Sequence, residues 1–374
     1  MLIDIIAGAR PNFMKIAPIL EAIETAQKAG WPLQYRLIHT GQHYDKKMSG
    51  DFFEQLGIPE PHLNLEAGGG TQAEQTAAIM IRYEKVLLER QPELLIVVGD
   101  VTSTMACSIA AKNIGNIKVA HVEAGIRSHD LSMPEEINRM VTDAITDYFF
   151  TTSETANENL RKAGVPDDRI FFVGNTMIDT LLKHQPRFEA PPVWEELGLE
   201  KGQYIVMTLH RPGNVDEEQS LKRLMDAIVE ASRGLPLVFP VHPRTARMLR
   251  QIGIEAPNLH MIEPLGYLQF NYLVQHAKAV VTDSGGVTEE TTVMHVPCMT
   301  LRANTERPET CTIGTNRLLG VSPEAIAPAF EELFNGNWPT GDIPEKWDGK
   351  TASRIVDDLI SIFKLEKSAP LQHA

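Results

Sequence analysis

Charged and hydroxyl-bearing residues recur in this chain just past the ends of short apolar runs. In open α/β sheets such positions, at the carboxyl ends of strands, are where ligands and catalytic groups gather. The stretch Val119–Arg139 (VAHVEAGIRSHDLSMPEEINR) puts His121, Glu123 and Arg127 at the end of an apolar run and then opens a helix on Glu135 and Glu136. Arg10, Gln42 and Asp100 also follow strand-like runs. One polar residue in such a place is ordinary, because aspartate is a common turn and N-cap residue. Several in corresponding places describe a site. Asp100 and Glu123 have no evident structural task and are the natural acid/base candidates. Glu135 has a structural alternative, since Ser132-Met133-Pro134-Glu135 has the form of a capping box with proline in the first turn. Glu136 and Arg139 stand at the spacing of a helical ion pair.

A second set of residues suits an anion. Arg10 and Lys15 flank a helix N-terminus, where backbone N–H groups and the helix dipole already favour negative charge. Asp283-Ser284-Gly285-Gly286 is a small-residue turn from a strand into a helix, open enough for N–H groups to approach a diphosphate. Glu290, one turn further on, could accept hydrogen bonds from a ribose diol. Arg302 and Arg307 could add positive charge, or serve only as surface ion-pair partners. His210 and His242 follow strands in parallel positions, and His210 gains weight from Arg211 beside it, a pair suited to a departing phosphate.

These residues need a scaffold, and the apolar runs supply it. Leu2–Ala7, Tyr35–His39, Glu93–Val98 and Ile117–Val122 read as strands, with helices at Phe13–Ala29, Thr71–Arg90 and Val101–Asn113 and a short one around Asp51–Leu56. ELLIVV at Glu93–Val98 is a continuous apolar run of the kind buried on both faces of a parallel sheet. The pattern restarts at Tyr204–Leu209, Leu237–Val241 and Lys278–Thr282, after a proline-bearing segment at Gln185–Pro192. The expected fold is therefore α/β: two doubly wound Rossmann-like domains, 1–185 and 186–374, facing an interdomain cleft. The last helix, about Thr351–Leu365, has an apolar stripe that could pack on either domain.

The bulk numbers narrow the function. At 374 residues the chain has room for two domains. A formal net charge of −14 disfavours nucleic acid and acidic membranes as partners, so an anionic ligand needs a local basic cluster. The cysteines are three, with no CxxC pair, which suits a reducing compartment and argues against a disulfide framework or zinc site. The N-terminal apolar run is too short for a signal peptide or a membrane span, so a cytoplasmic location is expected.

Taken together, GARPNFMK (8–15), VGDVTST (98–104), HVEAGIRS (121–128), MPEEINR (133–139), TLHRPGN (208–214), TDSGGVTEE (282–290) and TERPET (305–310) resemble the non-hydrolysing UDP-N-acetylglucosamine 2-epimerases over nearly the whole chain. The resemblance implies the two-domain GT-B architecture of phosphorylase-like glycosyltransferases. It also implies a cytoplasmic homodimer that uses neither NAD nor a metal. Its catalytic groups fall on Asp100, Glu123, Glu135 and His210. Its UDP-binding groups fall on Arg10, Lys15, Ser284, Gly285, Gly286, Glu290 and Arg307, with uracil contacts at Leu265 and Phe270. The implied reaction interconverts UDP-GlcNAc and UDP-ManNAc, by elimination of UDP to 2-acetamidoglucal and re-addition, and feeds surface polysaccharide synthesis. Relatives acting on UDP-2,3-diacetamido-2,3-dideoxyglucuronate share the turn that here reads Gln42-His43-Tyr44-Asp45, so they are an alternative. So are a UDP-sugar glycosyltransferase of the same fold, a hydrolysing epimerase and a non-catalytic nucleotide-sugar sensor.

Overall fold

The structure, a computed structural model, describes residues 1–41, 56–210, 217–241 and 243–367. Gln42, His43, Arg211, His242 and all but the last residue of the helix expected at Asp51–Leu56 lie outside the described residues. So does the side chain of Arg10, whose backbone opens a helix. The described residues form two compact units, Met1–Lys183 with Glu345–Ala374, and His184–Pro344.

In the first unit the order is β1 (Leu2–Ala7), α1 (Arg10–Lys28), β2 (Gln34–His39), β3 (Leu63–Asn64), α2 (Gln72–Glu89), β4 (Leu94–Val98), α3 (Thr102–Ile114), β5 (Lys118–Val122), α4 (Pro134–Ile145), β6 (Tyr148–Thr151), α5 (Glu154–Lys162), β7 (Ile170–Phe172) and α6 (Thr176–His184). Its seven strands are ordered β3-β2-β1-β4-β5-β6-β7, and every pair is parallel. The order reverses between β1 and β4, the topological switch point. Every residue of β4 is buried, as a run covered by helices on both faces requires. Helix α1 starts at Arg10, three residues before the expected Phe13. Pro11 fits the first turn because its missing N–H is not needed there. The Asn12 carboxamide oxygen also accepts from Gly8 N (3.2 Å) and Ala9 N (3.0 Å), tying the turn to the helix.

The second unit continues with α7 (Pro192–Glu196), β8 (Ile205–Thr208), α8 (Glu218–Ala231), β9 (Leu237–Pro240), α9 (Pro243–Gln251), β10 (Leu259–Ile262), α10 (Tyr267–His276), β11 (Ala279–Thr282), α11 (Gly285–Val293), β12 (Cys298–Thr300), α12 (Pro308–Thr312), β13 (Asn316–Leu318) and α13 (Ile326–Phe334). Its six strands run β10-β9-β8-β11-β12-β13, again all parallel, with the reversal between β8 and β11. Ile205, Met207, Leu237, Phe239, Val281 and Met299 line one face of this sheet, and Val206, Val238, Val280 and Cys298 the other.

The final helix, α14 (Thr351–Ile362), packs on α1, so the described residues from 345 on, expected in the second domain, cluster with the first unit. The attachment has specific causes. The apolar stripe Ile355, Val356 and Leu359 is buried. Asp179 accepts Thr351 N (3.1 Å) and Ala352 N (2.7 Å), satisfying N–H groups that the start of the helix leaves open. The Trp347 indole, 1% exposed, donates to Thr152 O at 3.0 Å. No helix among the described residues is long and apolar enough to cross a membrane.

Candidate active site

The first unit gathers its ionisable groups at the β1/β4 switch point. Register pairs Val98 with Val122, so Glu123 leaves β5 beside the Gly99-Asp100 turn that ends β4. Asn12 donates to Val98 O at 3.0 Å and ties α1 to that turn. Glu123 is 3% exposed and holds φ +67°, a left-handed conformation that costs a non-glycine residue about 1–3 kcal/mol. Lys15 reaches down from α1 to within 2.7 Å of its Oε2. Lys15, expected to meet a diphosphate, thus partners a carboxylate in this structure. Gly99 lies against this pair, a Cβ there standing at ordinary contact distance from Lys15 Nζ (3.4 Å) and Glu123 Oε2 (3.7 Å), and it holds φ +70°, which favours glycine.

Asp100, expected to have no structural task, pairs with Arg139 of α4. Arg139 also binds Glu136 at 2.7 Å, the helical ion pair its spacing predicted. Glu136 does more than that. Fully buried, it accepts from Ser128 N (2.9 Å) and His129 N (3.0 Å), pinning the loop that follows Glu123. Burial alone would raise its pKa, but these N–H groups and Arg139 hold it below the ordinary carboxylate value. The capping box does not form. Met133 is the N-cap residue, Ser132 Oγ donates to Asp130 at 2.6 Å, and Glu135 stands exposed on the first turn. The Asp130 acceptor two residues upstream outcompetes the box geometry. Glu135 is therefore left without the capping role that was its structural alternative.

Beneath both turns lies a connection that the residue pattern did not reveal. His121 is fully buried, with Nδ1 2.7 Å from Asp143 Oδ1 and Nε2 2.8 Å from Gly99 O. Asp143 Oδ2 takes the Gly125 N–H (3.1 Å) and the Arg127 guanidinium (2.7 Å). Burial would raise the Asp143 pKa, but His121 and Arg127 outweigh it and keep the carboxyl below its ordinary value.

In the second unit, β8 and β11 are neighbours with Thr208 opposite Thr282, so His210 and Asp283 emerge side by side. Asp283 is fully buried and its Oδ1 lies 2.6 Å from His210 Nδ1, while its two oxygens also accept the His210 backbone N–H at 3.2 and 3.0 Å. The imidazole is 62% exposed. A buried carboxylate on Nδ1 fixes the ring and turns Nε2 outward, the arrangement of an oriented general acid/base. Asp283 was legible only as part of a glycine turn. Its role follows from the strand order, which brings together residues 73 apart in the chain.

Ser284 is the N-cap of α11, and Gly285 and Gly286 form its first turn. A Cβ on Gly285 would meet Glu306 Oε1 at 3.1 Å and Arg302 Nη1 at 3.6 Å, so the glycine admits the Arg302–Glu306 ion pair close to the helix end. Arg307 pairs with buried Glu289. Glu290 lies 3.4 Å from Asn271 Nδ2 of α10, and burial pushes its carboxyl up to about 7. Leu265 and Phe270 pack against the apolar cluster on one face of the second unit's sheet that includes Val206, Val280 and Val287. The structure so collects Ser284, Gly285, Gly286, Glu290, Arg307 and His210 at the carboxyl end of β11 and along α11. Asp100, Glu123 and Lys15 collect at the switch point of the first unit. Among the described residues no group of three or more His, Cys, Asp or Glu side chains is placed to hold a metal ion.

Glu309, two residues past Arg307, is 5% exposed with no hydrogen-bond partner on either carboxylate oxygen among the described residues, and burial raises it to about 7. Its folded form holds the proton to higher pH than the unfolded form does. Its stabilising contribution is thus complete below about pH 4.5 and is lost as pH rises to about 7, up to about 3 kcal/mol. Glu309→Gln removes that titration. Urea unfolding at about pH 5 and pH 8 should show a smaller loss of stability in the variant than in the wild type. An equal loss in both would mean that Glu309 is ionised in the folded protein.

Comparison with known proteins gives the same assignment along nearly the whole length. Residues 25–360 match the family model for UDP-N-acetylglucosamine 2-epimerase. The chain is 40% identical to the UDP-N-acetylglucosamine 2-epimerase of Methanocaldococcus jannaschii, over 95% of this chain and 98% of that one. It is 38% identical to the UDP-2,3-diacetamido-2,3-dideoxy-D-glucuronate 2-epimerase of Pseudomonas aeruginosa, over 97% and 100%. The crystal structure of the Methanocaldococcus jannaschii UDP-GlcNAc 2-epimerase in complex with UDP-GlcNAc and UDP aligns with a TM-score of 0.84 at 39% identity, covering 96% of this chain and 100% of that one. With sequence motifs, fold and these likenesses in agreement, the chain belongs to the UDP-N-acetylglucosamine 2-epimerase family.

Proposed function

We propose that the protein interconverts UDP-GlcNAc and UDP-ManNAc by inversion at C2, as a cytoplasmic homodimer that supplies surface polysaccharide synthesis. The observation that carries the reading is the pair of carboxylates, Asp100 and Glu123, that end the neighbouring strands β4 and β5, each held by a cation. The C2–H of an N-acetylhexosamine is not next to a carbonyl, so its direct removal faces a very high barrier. If the C1–O bond to UDP breaks first, positive charge at C1 makes the C2 proton removable. A carboxylate takes that proton, the C1–C2 double bond of 2-acetamidoglucal forms, and the bonding pair of C1–O leaves with UDP. Protonation of C2 from the other face and return of UDP to C1 complete the inversion.

Acid/base groups serve both faces of the ring, Asp100 and Glu123 with Glu135 as a third carboxyl, each acid/base step contributing about 10²–10⁴-fold. Arg10 and Arg307, with the N–H groups at Ser284, Gly285 and Gly286, stabilise the departing diphosphate. His210 protonates or hydrogen-bonds its oxygen, Glu290 takes the ribose hydroxyls, and Leu265 and Phe270 hold the uracil. Lys15 keeps Glu123 in place and contributes positive charge toward the diphosphate. The exposed apolar residues Ile81 and Leu88, two turns apart on α2, supply a face for a second copy.

A second reading is favoured by the 38% identity to the diacetamido-glucuronate epimerase, close to the 40% of the first relative. It keeps the same chemistry on a more highly charged sugar. Proton NMR of the enzyme with UDP-GlcNAc should show UDP-ManNAc accumulating with the nucleotide still attached, from a sample that sediments as a dimer. No conversion of UDP-GlcNAc, together with turnover of the UDP-diacetamido-uronate, would transfer the assignment to the second reading.

A further inference from the structure

We infer that His121 is a positioning residue, a doubly protonated strut that fixes the Gly99-Asp100 turn and the Glu123–Gly125 turn relative to each other. The inference rests on the acid/base roles proposed for Asp100 and Glu123, but its structural part stands without them. His121 occupies the penultimate position of β5 and is fully buried. Nε2 faces Gly99 O at 2.8 Å, and a backbone carbonyl can only accept, so this nitrogen carries hydrogen. Nδ1 faces Asp143 Oδ1 at 2.7 Å. The Arg127 guanidinium, 2.7 Å from Oδ2, and the Gly125 N–H both donate to the same carboxyl, which is therefore the ionised acceptor, and Nδ1 carries hydrogen as well. Asp143 meets the ring directly, and the Arg127 guanidinium acts on it through that carboxylate.

The result is one continuous chain of bonds. It runs from the Gly99 carbonyl through the imidazolium to Asp143 and on to Gly125 N and Arg127. One end holds the turn carrying Asp100, and the other holds the loop that leaves Glu123. Gly125 is itself constrained, with φ +76° and a Cβ position 2.4 Å from Ala156 O, so the loop has little freedom to settle elsewhere. Because the ring bonds of His121 go to the Gly99 carbonyl and to Asp143, it acts through the placement of the two turns. A shift of about 1 Å in a catalytic group can cost about 10²-fold in rate.

His121→Gln separates this role from simple packing. A glutamine amide can donate to Gly99 O or to Asp143 but, with a single nitrogen, cannot reproduce both bonds in this geometry. The expected result is a fall in kcat of about 10²-fold per folded molecule, with KM and the Kd for UDP within about threefold, because most of the groups proposed to hold the nucleotide, Ser284, Gly285, Gly286, Glu290 and Arg307 among them, belong to the second unit. Asp143→Asn should give the same split. A purely structural role would lower Tm and leave kcat per folded molecule unchanged, and that outcome overturns the inference. The wild type supplies a check that needs no variant: long-range ¹⁵N–¹H spectra of ¹⁵N-histidine-labelled protein should show the His121 ring with hydrogen on both nitrogens. A neutral ring with one N–H overturns the strut. If the wild type turns over no UDP-sugar, the functional reading fails on its own while the spectrum still decides the protonation of His121.

Discussion

Glu123→Gln should lower kcat by about 10²–10⁴-fold while leaving the affinity for UDP nearly unchanged. Glutamine matches glutamate in size, and its amide oxygen can still accept from Lys15, so the substitution removes a proton-accepting charge and little else. The site is built around that charge. Glu123 sits in the left-handed region at φ +67°, is 3% exposed, and has Lys15 at 2.7 Å. Strain in a buried, charged, paired residue persists only where the surroundings hold it, and such residues cluster at functional sites. The change also leaves the Lys15 ammonium without its counter-charge in a largely buried position, so some stability is lost and turnover must be expressed per folded molecule. Single-turnover rates by NMR, with calorimetric titration of UDP on the same samples, decide the matter. Less than a tenfold loss in kcat would remove Glu123 from the acid/base chemistry.

A comparable loss, about 10²–10⁴-fold, is expected from Asp283→Asn, although Asp283 is fully buried. Its carboxylate accepts from both the ring and the backbone N–H of His210. An asparagine can present only one acceptor oxygen, and its NH₂ directed at Nδ1 would select the tautomer with hydrogen on Nε2. The ring then loses both its fixed orientation and the negative charge that stabilises imidazolium, so it can no longer cycle a proton at the departing diphosphate. The loss should fall on kcat more than on KM, and His210→Asn should add little to it, because the two residues act as a unit. Independent, multiplicative losses in the double variant would separate Asp283 from His210.

The same residues show what the chain makes legible and what it withholds. The strand-end positions of Asp100, Glu123, His210 and the Ser284–Gly286 turn follow from apolar runs that stop at polar residues, a local signal. Their partners are not local. Lys15 meets Glu123 across 108 residues and Asp100 meets Arg139 across 39, through a strand order that places β1 beside β4 and so cannot be read from neighbouring residues. Local patterning can also mislead. Ser132 and Glu135 have the spacing of a capping box, yet Asp130 captures the serine and the helix begins after Met133. The last helix shows the same limit. Its stripe predicted burial, but the bonds that bring it to the first unit, from the buried Asp179 carboxylate to its first turn and from the Trp347 indole to Thr152 O, are not visible in the stripe.

The central claim is that C2 loses its proton while UDP is detached and retained. Incubating the enzyme with UDP-GlcNAc in D₂O and following the products by proton NMR tests it directly. The predicted result is deuterium at C2 of both UDP-GlcNAc and UDP-ManNAc, with the nucleotide intact in each and no free sugar accumulating. Epimerisation with the original proton still at C2 would contradict the elimination route, and free ManNAc with UDP would show that the intermediate is hydrolysed instead of returned.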